Sequence, residues 1–213
     1  MYQKITLTTV AFLCCSIIVS AQIKKGSVLL GGQIYYSNSS NEYSPNQSEQ
    51  ANHNTTFSVS VGKAFKENSV YGINLSYGNA AYNNNYSNNT YYNTKINSYS
   101  AGIFYRKYKT LAKDFYLFGE AGASYFDSKN TLTDLSGNKL STTRSTGGQI
   151  TLTPGISYQL LKKLQVEITI PNIAGVSYSV NDQSTVKQTN FAFNTSLNSF
   201  ALGNLGVGFR FVF

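Results

Sequence analysis

The last nine residues, LGVGFRFVF (Leu205–Phe213), alternate with a period of two. Leu205, Val207, Phe209, Phe211 and Phe213 fall on one face of an extended chain, and Gly206, Gly208, Arg210 and Val212 on the other. Successive side chains of a strand point to opposite faces of its sheet, so this segment offers one apolar row and one row that carries an arginine. In a water-soluble sheet the apolar row would be core; in a membrane barrel it would meet lipid, and the arginine would face the lumen. The remainder of the chain distinguishes the two.

At the other end, MYQKITLTTVAFLCCSIIVSAQ carries Lys4, an apolar run from about Thr9 to Val19 and small residues at Ser20 and Ala21. That order predicts a secretory signal peptide over residues 1–21, cut next to Ala21–Gln22. The run is shorter than the roughly 20 apolar residues a helical span requires. Both cysteines, Cys14 and Cys15, lie inside it, so the domain over residues 22–213 would hold no thiol. Disulfides, thiolate metal sites and a cysteine nucleophile are thereby excluded.

Only 12% of the residues are charged, against 14% aromatic, with 17 tyrosines and no tryptophan. Ordinary globular domains carry about 25% charged residues, so much of this surface is not meant for water alone. The net charge of +8 comes largely from Lys24, Lys25, Lys63, Lys66, Lys107, Lys109, Lys113, Lys162 and Lys163, at the ends of strand-like segments or in the links between them. No basic run interleaves with stacking aromatics, and no nucleic-acid partner is expected.

Eight strand-like segments follow the signal: residues 27–37, 55–65, 69–78, 97–107, 115–127, 147–160, 164–179 and the stretch ending at Phe213. The links at 65–68, 107–114 and 160–163 are short; those at 38–54, 79–96, 128–146 and 180–195 are long and rich in Asn, Ser and Thr. Short and long links alternate strictly. This pattern predicts an all-β, eight-stranded antiparallel up-and-down transmembrane barrel, with both termini on the short-turn, periplasmic side. The stretch NAAYNNNYSNNTYYNTK (Asn79–Lys95) reads as a polar surface loop, and Thr131–Thr142, with its Gly137-Asn138 turn signal, as a hairpin above the membrane.

Alternate residues of these segments form an apolar face, for example Tyr71, Ile73, Leu75 and Tyr77, or Tyr99, Ala101, Ile103 and Tyr105, with tyrosines near its limits. Tyrosine has an apolar ring and a polar tip and suits a membrane–water interface. The opposite face carries Ser58, Ser60, Asn74, Ser76, Arg106, Glu120, Gln149, Thr151, Glu167 and Arg210. Such a set would be costly as the core of a soluble sandwich but suits a filled polar lumen. Glu167 lies three residues from the start of its strand and Arg210 three from the end of the next, so the two should share a depth. Arg106 and Glu120 flank a short turn. These four are expected to form a structural charge cluster inside the barrel.

In these respects the chain resembles the small outer-membrane β-barrel proteins of Gram-negative bacteria, of the OmpA-barrel and OmpX-like type common in Bacteroidetes. The resemblance covers nearly all of the chain after the signal. It implies that Phe209, Phe211 and Phe213, preceded by Val207, are the signal read by the barrel-assembly machinery. It also implies a structural or surface-interaction role, in adhesion or envelope integrity. Expected partners are outer-membrane lipid, the assembly machinery and a surface ligand held by the extracellular loops. No cofactor, metal or catalytic residue is expected. A small pore is the alternative, and a lipid-modifying enzyme a weaker one. The lone histidine, His53, lies in a predicted loop beside Ser37, Ser39, Ser40, Ser48 and Glu49, and is read as solvated.

Overall fold

The computed structural model describes residues 23–42, 49–86, 90–134, 136–183, 186–195 and 205–213. The expected signal peptide and its cleavage site lie outside them. Ten strands follow in order: β1 (Val28–Glu42), β2 (Glu49–Lys66), β3 (Ser69–Tyr86), β4 (Thr90–Ala112), β5 (Phe115–Thr133), β6 (Lys139–Leu161), β7 (Leu164–Thr169), β8 (Ala174–Gln183), β9 (Val186–Thr195) and β10 (Gly206–Val212). Strands β1 to β6 are consecutive antiparallel neighbours. Both β7 and β8 pair with β6, β9 pairs with β8, and β10 lies between β7 and β1. The sheet therefore closes into a ring of eight strand positions.

Two positions are each made of two pieces. The expected strand 164–179 is interrupted at residues 170–173, where Pro171 has no N–H to give the ladder and Asn172 takes φ of 51°. The chain rejoins β6 through bonds from Ile170 N to Pro154 O and Ile173 N to Leu152 O. The second such position holds β9 and β10, and the residues that join them lie outside the described ones. The sequence reading placed residues 180–195 in a loop; most of them are strand in β8 and β9 instead. From Tyr36 upward, β1 is paired with β2 alone among the described residues, and β9 with β8 alone.

Ladder partners from Leu30 run through Val61, Ile73, Ile103 and Ala123 to Ile150. The return from β6 to β1 runs from Ile156 through Ile168 and Val207 to Ile34. One circuit thus climbs six residues along β6 and four along β1, a stagger of ten. Eight tilted strands leave an interior that side chains can fill.

At one end the hairpins β2–β3, β4–β5 and β6–β7 turn within two residues, each beside a register shift. Asn68 and Asp114 adopt φ of 56° and 64°, a left-handed conformation that Asn and Asp tolerate. At the other end the long polar links are mostly strand rather than loop. β3 continues to Tyr86 and β4 begins at Thr90, so the Asn-rich stretch is largely a paired hairpin. Period-two hydrophobicity ends where the wall leaves the lipid, but the hydrogen-bond ladder needs only the register already set below it.

The outward row meets lipid: Ile73, Ile103 and Ile150 are each about 60% exposed. The inward row is not uniformly polar as expected. Its short-turn end is an apolar core of Ile23, Leu29, Ala64, Val70, Phe104, Tyr108, Tyr116 and Phe118, all under 5% exposed. Glycines make room for it. A Cβ on Gly155 would lie 2.4 Å from the Phe118 ring.

Candidate functional site: the plug across the lumen

Immediately above this aromatic floor lie the four charged residues singled out from the sequence. Arg106 on β4 stands opposite Glu120 on β5 and donates to it, Nε to Oε2 at 2.7 Å. The same guanidinium reaches across the lumen to Glu167 on β7, Nη1 to Oε1 at 2.7 Å and to Oε2 at 2.8 Å. From the neighbouring β10, Arg210 donates to Glu167 through Nε at 2.7 Å and Nη2 at 3.2 Å. All four side chains meet in one cluster, in which the Arg106–Glu167 bond joins the two pairs and is the contact that sequence spacing did not indicate. Two guanidinium groups and two carboxylates balance. Arg106, Glu167 and Arg210 are buried, and an ion buried without its partner would be expensive.

The floor supports the cluster directly. The Arg106 guanidinium carbon lies 4.1 Å from the Phe118 ring centre, and the Tyr108 hydroxyl accepts from Arg106 Nη1 at 3.1 Å and donates to Glu167 Oε1 at 3.4 Å. Tyr108 packs on Phe118 and edge-on against Tyr116. On the other side Arg210 Nη1 donates to Ser60 Oγ at 3.4 Å, and a Cβ on Gly31 would come within 3.0 Å of the Arg210 guanidinium. Ile23 closes the base: its N–H donates to Asn68 Oδ1, and Asn68 N–H donates back to its carbonyl. None of Ile23, Phe104, Tyr108 and Phe118 was singled out from the sequence. The signal was present: Phe104, Tyr108 and Phe118 share the parity of Arg106 and Glu120, which already marks the inward face.

Above the plug the lumen is lined by uncharged polar groups. Gln33 donates to Thr169, Ser76 and Ser100 share a bond at 2.6 Å, and Gln149 donates to Ser124 at 3.1 Å. The walls then continue beyond the lipid as paired hairpins. His53 is exposed on the outward face of β2, between Asn38 and Ala81 in register, with no acid opposite it. Among the described residues no three His, Cys, Asp or Glu side chains gather closely enough to hold a metal ion.

At the C-terminus Val207, Phe209, Phe211 and Phe213 form an outward row, each 45–61% exposed. The backbone of Phe213 exchanges hydrogen bonds with Val28 at 2.9 and 3.0 Å, so the row is stitched to β1.

A closed, staggered ring of strands, greasy outside and plugged inside, accords with what family comparison finds. Residues 7–211 match the outer membrane protein β-barrel domain family. The chain belongs to this family. It is an integral outer-membrane β-barrel.

No curated protein matches it in sequence. Among solved structures it is similar to Neisserial surface protein A, with 15% identity, a TM-score of 0.43 and coverage of 89% of this chain and 98% of that one. A major outer membrane protein from Thermus thermophilus aligns with 10% identity and a TM-score of 0.45, over 88% of this chain and 99% of that one. The attachment invasion locus protein Ail of Yersinia pestis aligns with 14% identity and a TM-score of 0.39, over 89% and 99%.

Proposed function

We infer that this protein is a non-enzymatic, non-conducting barrel that displays a stiff, paired sheet at the cell surface, serving attachment or envelope integrity. Its short turns and both termini face the periplasm. The observation that carries this reading is Glu167, held from two sides by Arg106 and Arg210 above an aromatic floor. Side chains from β2, β4, β5, β7 and β10 meet there, so the lumen is blocked at one level while the strands continue past the lipid. The barrel supports the sheet.

Two measurements test it together. Purified barrel in planar bilayers is expected to show no steady conductance. Replacing residues 79–95 by a tight turn should leave assembly intact while removing the attachment or envelope phenotype of the producing cells. A steady open current from the unmodified protein, or a full phenotype from the shortened one, would overturn the reading.

A further inference from the structure

On the outward face of the strand extensions, four basic residues form a row. Lys129 on β5 stands directly opposite Arg144 on β6. Lys95 on β4 is the diagonal neighbour of Lys129, since it pairs with Thr131. Arg144 stands opposite Asp182 on β8, which stands opposite Lys187 on β9. All five side chains are exposed. Lys129 thus faces a like charge across the ladder, an unfavourable juxtaposition that Asp127 partly offsets by accepting from Arg144 Nε and Nη2. Asp127 pairs with Arg144, the single ion pair of this row among the described residues. With Asp127 and Asp182 subtracted from four cations, the row keeps a net charge of +2.

Its height is specific. Lys95 and Lys129 each lie four residues beyond an outward tyrosine, Tyr99 and Tyr125, which are 61% and 60% exposed. Four residues are about 13 Å of strand, or about 10 Å of height at a tilt of about 40°. If the tyrosines mark the edge of the hydrocarbon, the row lies among the headgroups. It is also one-sided. The same ladder row on β1, β2 and β3 reads Asn38, His53 and Ala81, without a carboxylate or an amine.

We propose that Lys95, Lys129, Arg144 and Lys187 form a binding site for the phosphate groups of a lipid headgroup in the leaflet from which the long hairpins emerge. A phosphate beside the diagonal pair Lys95 and Lys129 gains charge-assisted contacts from both ammonium groups, and Arg144, whose Nε and Nη2 already donate to Asp127, adds its remaining Nη1 edge. The site takes a phosphorylated glycolipid or phospholipid, whose acyl chains then lie along Tyr99, Tyr125 and Ile150. This rests on the outer-membrane reading but not on which way the barrel faces; orientation is measured separately, by labelling Lys139→Cys in whole cells with an impermeant maleimide.

The test uses the full barrel refolded in dodecyl maltoside, with three probes: bisphosphorylated lipid A, the same lipid dephosphorylated, and inorganic phosphate. The unmodified barrel should bind the phosphorylated lipid at least tenfold more tightly than either other probe, with affinity falling as salt rises. Combining Lys95→Gln, Lys129→Gln and Arg144→Gln should weaken that binding at least tenfold. Lys107→Gln with Lys109→Gln and Lys113→Gln, at the opposite end, should change it less than twofold. Lys129→Glu serves as a second variant: it reverses the charge at the centre of the row, so lipid affinity should fall while the barrel still refolds to the heat-shifted form. Undiminished binding by the triple variant, equal binding of the dephosphorylated lipid or equally tight binding of free phosphate overturns the proposal, as does unchanged affinity in Lys129→Glu.

Discussion

Arg210 and Glu167 are diagonal rather than opposite neighbours: Arg210 pairs with Gln165 in the ladder, and its Nε reaches Glu167 Oε1, two places along, at 2.7 Å. Because Glu167 also accepts from Arg106, the two arginines are not equivalent to the carboxylate they share. Removing Glu167 leaves two guanidinium groups facing Glu120 alone. Removing Arg210 leaves Arg106 between two carboxylates.

Glu167→Gln should therefore be the most damaging single change in the plug, at about 3–5 kcal/mol, the usual cost of breaking a buried pair. Arg210→Gln should cost less. The double variant leaves Arg106 with Glu120, a balanced pair, and should be more stable than Glu167→Gln alone. Urea titrations of the refolded barrel measure all three, and strictly additive losses would show that the two residues are not coupled.

The floor below gives a sharper steric prediction. A Cβ on Gly155 would meet the Phe118 ring at 2.4 Å and the Ile168 carbonyl oxygen at 2.7 Å, whereas one on Gly119 meets nothing within 4 Å. Gly155→Ala should lower stability by about 1–3 kcal/mol, the range for overpacked sites. Gly119→Ala, on the lipid face, should stay within about 0.5 kcal/mol of the unmodified barrel. Equal effects of the two substitutions would mean that the floor is not tightly packed.

The sequence made the barrel wall legible wherever lipid and lumen impose opposite demands on alternate residues, as in Tyr71–Tyr77 or Leu205–Phe213. Above the lipid both faces are wet and the alternation disappears. Asn79–Tyr86 accordingly looks like a loop although its backbone is fully paired with β4. β9 is a partial exception, since Phe191 and Phe193 alternate within a polar segment, but two residues are too few to outweigh their surroundings. Within the plug, Arg106 with Glu120 and Glu167 with Arg210 were accessible because each pair lies on adjacent strands at matched distances from their ends. The Arg106–Glu167 bond crosses the barrel. It depends on the stagger of ten, which local spacing does not encode.

Beyond the membrane-spanning part of the strands, the exposed Arg144–Asp127 pair gives a pH prediction. The hydrogen bond from Arg144 holds the Asp127 carboxyl below its usual range. A carboxyl lowered in the folded state contributes stability above its unfolded value and loses that contribution as pH falls through the folded one. Carbon-detected NMR of the refolded barrel should show Asp127 titrating below the ordinary Asp value of about 3.9, and Arg144→Gln should move its midpoint upward. An unmoved midpoint in that variant would rule out the bond as the cause.

Phe213 separates assembly from stability. Its side chain is 61% exposed on the lipid-facing row, so Phe213→Ala forfeits up to the roughly 1.5–3 kcal/mol gained by moving such a side chain out of water, a loss spread over one residue of a closed ring. The backbone bonds to Val28 do not require the ring and should persist. Refolding into detergent is therefore expected to give a closed barrel, with near-normal heat-shifted mobility on gels. In cells the outcome should differ, because the aromatic row ending at Phe213 is proposed as the feature the assembly machinery recognises, and recognition depends on the ring rather than on the ladder. Phe213→Ala should then reach the membrane in much smaller amounts than the unmodified chain, while Val212→Ala, on the other face of the same strand, should assemble normally. Full insertion of the Phe213 variant, measured by fractionation and gel mobility, would remove the terminal aromatic from the assembly signal and leave it as an ordinary part of the lipid-facing belt.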